Sequence, residues 1–369
     1  MSTIQKEALW LWLNYATGPQ TVVFEQIISK YLHIEEVYAL ANARDTHAFR
    51  AWGKSLEQRL FDSANEQFIE EKLQWLEKHG VQFIPLYKDE YPALLKEIRH
   101  PPAVLFIKGT LPAEVDLPIA IVGMRKHTDY GERVARHLGE EIALSGGTIV
   151  SGMARGIDQF AAEGALRVPA SKCPTIAVLG SGIDVVYPNE NLKLYHEIAE
   201  RGAVITEFLP GTRPLRENFP MRNRVISGLS RGVVVVEAAE RSGTSITVNH
   251  ALDQGRDVFA VPGRITDINS VGPNRLIQSG AAKPVFCAAD ILCEYGVKRK
   301  AAQAKTEIDT TTLSPLEKRI VEALLSGEKN ADELCEYLEL DVAEVNCGLT
   351  SLQFSGIIKQ LPGRVFGLS

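Results

Sequence analysis

The chain has 369 residues, a formal net charge of −6, 45% hydrophobic and 23% charged residues, a composition that fits a globular protein of two or three domains. No stretch approaches the roughly 18–20 uninterrupted apolar residues of a membrane helix, and Glu7 ahead of a short apolar run without a basic n-region argues against a signal peptide. The acidic balance excludes a protein that coats nucleic acid indiscriminately, so any such contact must be confined to a patch. Five scattered cysteines (Cys173, Cys287, Cys293, Cys335, Cys347) lack CxxC or His–Cys clustering. They point to free thiols in a reducing cytoplasm, with no metal and no cofactor expected.

Residues 1–75 carry apolar positions at helical spacing, among them Leu9, Trp12, Leu13, Val23, Ile27, Val37 and Leu40, with Gly18-Pro19 as a break. They predict a helical domain. A Gly-Pro step between short helices hints at a helix-hairpin-helix, which grips phosphates with loop amides, although ATGPQT holds only one glycine. The short pieces 81–85 and 104–107 read as strands that extend the sheet of the next domain.

From Leu117 apolar strands alternate with amphipathic helices. Strands are predicted at 119–122, 148–151, 175–179, 204–206, 232–236, 258–261 and 284–286; helices at 132–144, 158–167, 190–201, 222–230, 245–254 and 274–280. Continuous Val/Ile runs mean strands buried on both faces, hence a parallel sheet covered by helices. The fold class is α/β: a Rossmann-like, doubly wound domain over 80–295, whose binding crevice lies at the carboxyl ends of the strands.

Residues 296–312 read as a linker without apolar periodicity. Helices predicted at 314–325, 332–338 and 342–354, then a hairpin turning at Pro362-Gly363, describe a winged helix. Five basic against nine acidic residues in 313–369 (5 − 9 = −4) favour a protein contact over DNA for this domain.

The strand exits carry the chemistry. The first leads into Gly123-Met124-Arg125, the second into SGMARGID with Ser151, Gly152, Arg155, Gly156 and Asp158, the third into GSGIDVVYP with Asp184. The fifth reaches Glu237 and then RSGTSIT with Ser242, Gly243 and Thr244, and the sixth leads to Pro262-Gly263-Arg264, followed by Asn274. Glycines allow close backbone approach, and hydroxyls with helix N-termini donate to phosphate. The fourth exit feeds residues 211–231, GTRPLRENFPMRNRVISGLSR, where Arg213, Arg216, Arg222, Arg224 and Arg231 stand against the single acid Glu217. Pro210, Gly211, Pro214 and Pro220 predict a loop as far as about Met221, then a helix from Arg222. An arginine-rich loop carrying Phe219 and Asn223 suits phosphates and a flat base. The plainer reading is that these arginines pair with acids elsewhere, and that Asp158, Asp184 and Glu237 cap helices or pair with the rim.

Enzyme signatures are incomplete: GMRKHT stands where a GxGxxG would follow the first strand, GSGIDV is a partial match, and Walker A, HExxH and GxSxG motifs are absent. A nucleoside-monophosphate phosphoribohydrolase of the lysine-decarboxylase-like family is the alternative. Its Gly-Gly-x-Gly-Thr signature is approached only by Ser242-Gly243-Thr244.

Taken together, SGMARGID, LGSGIDVVYP, EFLPGTRPLRENFPMRNRVISGLS, VVVVEAAERSGTSIT, QGRDVFAVPG and GPNRLIQSGA resemble the DprA/Smf family, DNA-processing protein A of natural transformation, over residues 80–290. The resemblance implies a SAM-like N-terminal domain and a C-terminal winged helix. It implies a non-enzymatic competence protein that binds single-stranded DNA, forms a homodimer and loads the RecA recombinase for DNA recombination. It further implies that Arg125 reaches the DNA backbone, that Arg216 belongs to a basic pocket, and that a base stacks on Phe219. Arg222, Asn223 and Arg224 complete the FPxRN segment. Met124 stands where the family usually has serine, which removes one hydroxyl donor.

Overall fold

A computed structural model describes residues 4–368 except 20, 113, 170, 241, 298–312, 326–328, 356 and 362–364. The chain forms two compact units, 1–299 and 300–369. Most of the expected linker, the Pro362-Gly363 turn and Arg241 lie outside the described residues.

The first unit opens with α1 (Lys6–Thr17), α2 (Thr21–Tyr31), α3 (Ile34–Asn42), α4 (Thr46–Phe49), α5 (Lys54–Ser63) and α6 (Glu66–Lys78). Helix α1 is apolar nearly all round because it is covered on both sides. Leu9, Trp12 and Leu13 pack with Ile27, Val37, Phe49 and Leu60, while Leu11 joins Leu76, Phe106 and Val204 over the sheet. The helical segment is thus fastened to the sheet rather than standing apart from it.

The sheet has nine strands: β1 (Gln82–Pro85), β2 (Val104–Gly109), β3 (Pro118–Val122), β4 (Thr148–Ser151), β5 (Thr175–Val178), β6 (Ala203–Thr206), β7 (Gly232–Val235), β8 (Asp257–Ala260) and β9 (Lys283–Pro284). Their order is β1-β2-β6-β5-β4-β3-β7-β8-β9. From β6 to β9 every neighbouring pair is parallel, and β1 and β2 add an antiparallel edge, as expected of the 81–107 pieces. The chain winds outward from β3 through β6, then returns to lay β7 beside β3. That reversal is the topological switch point, where open α/β sheets bind ligands beyond the carboxyl ends of the strands.

Alternate residues of each strand feed opposite cores. Ala120, Val122, Val233 and Val235 pack against α7 (Ala93–Lys96), α11 (Asn218–Gly228) and α12 (Gly243–Asp253), through Leu95, Val225, Ile226, Val248 and Ala251. Ile119, Ile121 and Val234 face α8 (Asp129–Leu144), α9 (Ile157–Leu166) and α14 (Ala288–Glu294), through Leu138, Ile142, Ala161 and Ile291. Helix α10 (Leu192–Arg201) covers the far end through Leu194 and Ile198, and α13 (Val271–Gln278) follows β8. Among the described residues no helix is long and apolar enough to cross a membrane.

One expected boundary is corrected. Helix α11 begins at Asn218, four residues before Arg222, and takes Pro220 into its first turn. Amides of the first turn have no partner inside the helix, so a proline there removes no hydrogen bond.

The second unit holds α15 (Pro315–Leu325), α16 (Ala331–Leu338) and α17 (Val342–Phe354) with β10 (Lys329–Asn330), β11 (Ile358–Leu361) and β12 (Val365–Leu368), in the sheet order β10-β12-β11. Ile320, Leu324, Leu334, Val345, Leu349, Leu352 and Phe366 form its core. Asn330 closes a capping box at α16, and Asp341 caps α17 through the amides of Ala343 and Glu344. This is a winged helix.

Candidate functional site

A cleft of about 900 Å³ opens at the switch point. Gly123, Met124, Arg125 and Lys126 from the β3 exit form one wall, and residues 242–247 at the start of α12 form another. Arg216, Phe219, Arg222 and Asn223 from the arginine loop and α11 close it.

Glycines bring these segments together. A Cβ on Gly123 would lie 2.6 Å from Ile157 Cγ1, and one on Gly156, at φ +82°, would lie 2.4 Å from the Met124 carbonyl oxygen. The β3 exit therefore rests directly on the start of α9. Gly180 does the same for Phe219, whose Cδ1 sits 3.0 Å from where a Cβ would be, so the ring lies against bare backbone. The guanidinium carbons of Arg125 and Arg222 stand 5.6 and 5.8 Å from that ring's centroid.

The five arginines of 211–231 do not act as a block. Arg213 and Arg216 are exposed on the loop, and Arg231 is exposed beside the start of β7, on the opposite rim of the sheet. Successive helical residues turn by about 100°, so Arg222 and Arg224 leave α11 on different sides. Arg224 donates to the carboxyl group of buried Glu207 and does not line the cleft. Arg222 is 5% exposed, and its Nη1 donates to the carbonyls of Gly152 (2.9 Å) and Val178. Burial pushes its pKa down to about 10, against the opposing charge of Asp158. It ties α11 to the exits of β4 and β5 and presents only its flank to the cleft.

The loop ahead of α11 is fastened as well. Asp184 Oδ1 accepts from the Gly211 amide at 2.8 Å, and Asn218 Nδ2 donates to the carbonyls of Gly180 and Arg213, each at 3.1 Å. Asp158 Oδ2 accepts from the Gly152 amide at 2.9 Å; burial raises its pKa, opposed by Arg222 and by main-chain donors.

Glu237 holds the β3 exit. Its carboxylate accepts from the amide (3.0 Å) and hydroxyl of Thr128 and from Asn269 Nδ2 (3.4 Å), while that same amide nitrogen donates to the Lys126 carbonyl at 3.1 Å. Gly131 leaves room for it, since a Cβ there would lie 2.4 Å from Glu237 Cδ. Glu237→Ala removes a charged acceptor shared by Thr128 and buried Asn269 and is expected to lower unfolding free energy by about 1–3 kcal/mol in denaturant titration, with Glu237→Gln closer to wild type.

Glu207 is a titration prediction. Burial raises its pKa to about 7, more than Arg224 lowers it, and one oxygen of its carboxyl is buried without a hydrogen bond. Between its ordinary 4.5 and about 7 the folded protein keeps a proton that the unfolded chain has released. Stability is therefore lost as pH rises through that window. Glu207→Gln is expected to flatten that fall in denaturant titrations at pH 5, 6 and 7.

The remaining expected residues divide. Ser242, Gly243 and Thr244 line the cleft, where the first-turn amides of α12 stand without a side-chain cap and Ser242 Oγ is buried without a partner. Gly152 and exposed Arg155 line a notch beside it. Ser151 is fully buried and accepts from the Met153 amide at 3.3 Å, and Asn274 binds both main-chain groups of Gly263 at 3.1 and 3.0 Å. Neither lines the cleft. Sequence reasoning passed over Lys126 and Tyr187, which do. The signal for Tyr187 was its place in GSGIDVVYP, at a strand exit.

The DNA recombination-mediator protein A family matches residues 82–296, and the DprA winged helix domain matches residues 303–364. DNA processing protein DprA of Bacillus subtilis (strain 168) is 45% identical over 218 residues, covering 59% of this chain and 72% of that protein. Protein Smf of Escherichia coli (strain K12) is 41% identical over 266 residues, 72% of this chain and 68% of that protein. Among solved structures, DNA processing protein A of Streptococcus pneumoniae superposes with a TM-score of 0.66 at 32% identity, over 78% of this chain and 97% of that one. DNA processing protein A of Helicobacter pylori, reported for its single-stranded DNA binding mode, gives a TM-score of 0.51 at 28% identity, over 58% of this chain and 95% of that one.

Proposed function

The chain belongs to the DNA recombination-mediator protein A (DprA/Smf) family, and we propose that it is a non-enzymatic mediator that binds single-stranded DNA in the switch-point cleft. One observation carries this reading: Phe219 lies on the bare backbone of Gly180, with the guanidinium carbons of Arg125 and Arg222 5.6 and 5.8 Å from its ring centroid. An aromatic face flanked by cations accepts an unstacked base whose phosphate meets Arg125, Arg216 or Lys126. A base held in a duplex stack cannot reach such a face. Arg155, Asn223 and the segment Ser242–Thr244 belong to the same surface, whereas Arg222 supports it from below.

Asp158, Asp184 and Glu237, the acids a hydrolase would draw on, are engaged by main-chain donors, which supports the non-enzymatic reading. Release of free base from a nucleoside monophosphate by the purified protein would contradict it. From the family we further propose that the chain works in the cytoplasm as a homodimer, protects incoming strands and loads the RecA recombinase during natural transformation. Sedimentation gives the oligomeric state, and the rate of RecA assembly on coated single strands tests the loading.

The binding reading is tested by anisotropy with fluorescein-labelled dT oligonucleotide against a duplex of equal length at two salt concentrations. Preference for the single strand is expected, with a log–log salt slope of roughly −0.7 per neutralised phosphate. Equal or tighter duplex binding would contradict it.

A further inference from the structure

Past Phe219 the cleft meets a notch of about 30 Å³ lined by Arg125, Gly152, Arg155, Tyr187, Pro188 and Phe219. It has room for a water or a single phosphate oxygen, not for a base. Tyr187 is 39% exposed, and its ring centroid lies 5.5 Å from that of Phe219 at 50°, so a second aromatic face continues the first.

The segment bearing this tyrosine is fixed. Pro188 restricts the backbone of the residue before it, and Asn191, 3% exposed, donates from Nδ2 to the Met153 carbonyl at 2.9 Å. Met153 itself stands at φ +51° in the β4 exit. The same exit carries Arg155, whose guanidinium is ion-paired with Glu190 of the tyrosine segment. Both partners are more than half exposed, at 57% and 61%. An exposed pair of this kind contributes little to folding, yet the Glu190 carboxylate engages the Arg155 Nη2 donor that an anion could otherwise take.

We propose that Tyr187, Arg155 and Glu190 form a second nucleotide subsite, an inference that rests on a single strand occupying the cleft. The base next to the one on Phe219 lies against Tyr187. The phosphate between them places an oxygen in the notch, bridging Arg125 and Arg155, and displaces the Glu190 carboxylate. No covalent bond changes. Glu190 acts as a resident competitor: a lone phosphate gains too little at Arg155 to displace it, whereas a strand already anchored on Phe219 supplies the phosphate at high effective concentration.

The test is anisotropy with labelled dT oligonucleotide over a salt series on the full chain and the variants E190Q, E190Q/R155Q, Y187L and F219A. E190Q removes the competitor without adding a phosphate contact, so tighter binding at an unchanged salt slope is expected. That gain should vanish in E190Q/R155Q. Y187L should weaken binding by roughly 5- to 150-fold, the range of one stacked base. If F219A weakens binding while E190Q keeps the wild-type affinity, the subsite is overturned and the cleft stands. A gain in E190Q that persists in E190Q/R155Q also overturns it, because a general charge effect would then suffice. No affinity of the wild-type chain for the strand overturns the cleft reading and this inference with it.

Discussion

Replacing Arg222 with methionine is expected to lower unfolding free energy by about 3–6 kcal/mol, two hydrogen bonds from a charged donor at roughly 1.5–3 kcal/mol each. Three things are lost together. The carbonyls of Gly152 and Val178 lose their donor, α11 loses its tie to β4 and β5, and Asp158 keeps a buried carboxyl without its countercharge. Arg222→Lys should recover only part of the loss, because an ammonium is more strongly hydrated than a guanidinium and costs more to bury. Asp158→Asn in the Arg222→Met background should cost less than the sum of the single changes, since the groups share one network. Denaturant titration at pH 7 reads the wild-type chain and the four variants. A loss under about 1 kcal/mol for Arg222→Met, the size of one ordinary hydrogen bond, would mean that Arg222 is not the tie described.

The second large effect is on binding. Phe219→Ala is expected to weaken dT oligonucleotide binding by about 1–3 kcal/mol, or roughly 5- to 150-fold. The salt slope should stay the same, because no cation is removed. Arg125→Ala should weaken binding and make the slope shallower by about 0.7. Arg125 is exposed and Phe219 half-buried, so both variants should unfold close to the wild-type midpoint. The two slopes separate stacking from charge. Wild-type affinity in both variants would remove the cleft from the account.

Much of this was legible in the sequence, because the signals were local. Continuous Val/Ile runs marked the parallel strands, and the glycines and small hydroxyls at their exits marked the rim. The arginine run marked a segment that lines the switch-point cleft, but counting charge could not say which guanidinium faces it. That depended on a helix phase set by Asn218, and on Glu207 and Asp158, which are distant in sequence. Proline by type alone predicts a break at Pro220, but in the first turn it costs no hydrogen bond, so α11 starts at Asn218. Glu237 was seen as a rim acid, but its partners Thr128 and Asn269 come from segments that only the fold brings together. Tyr187 was passed over for the same reason: its value lies in the contact with Phe219, 32 residues further along the chain.

The most direct test of the central claim is photocrosslinking of an oligonucleotide carrying 5-iodo-deoxyuridine, followed by tryptic digestion and mass spectrometry. The halogenated base reacts with aromatic side chains that it lies against. The expected adduct is on the peptide Glu217–Arg222, which carries Phe219, with a second on the peptide that carries Tyr187. Adducts confined to residues 313–369, with neither cleft peptide modified while the strand is bound, would contradict the account and move the interface to the winged helix.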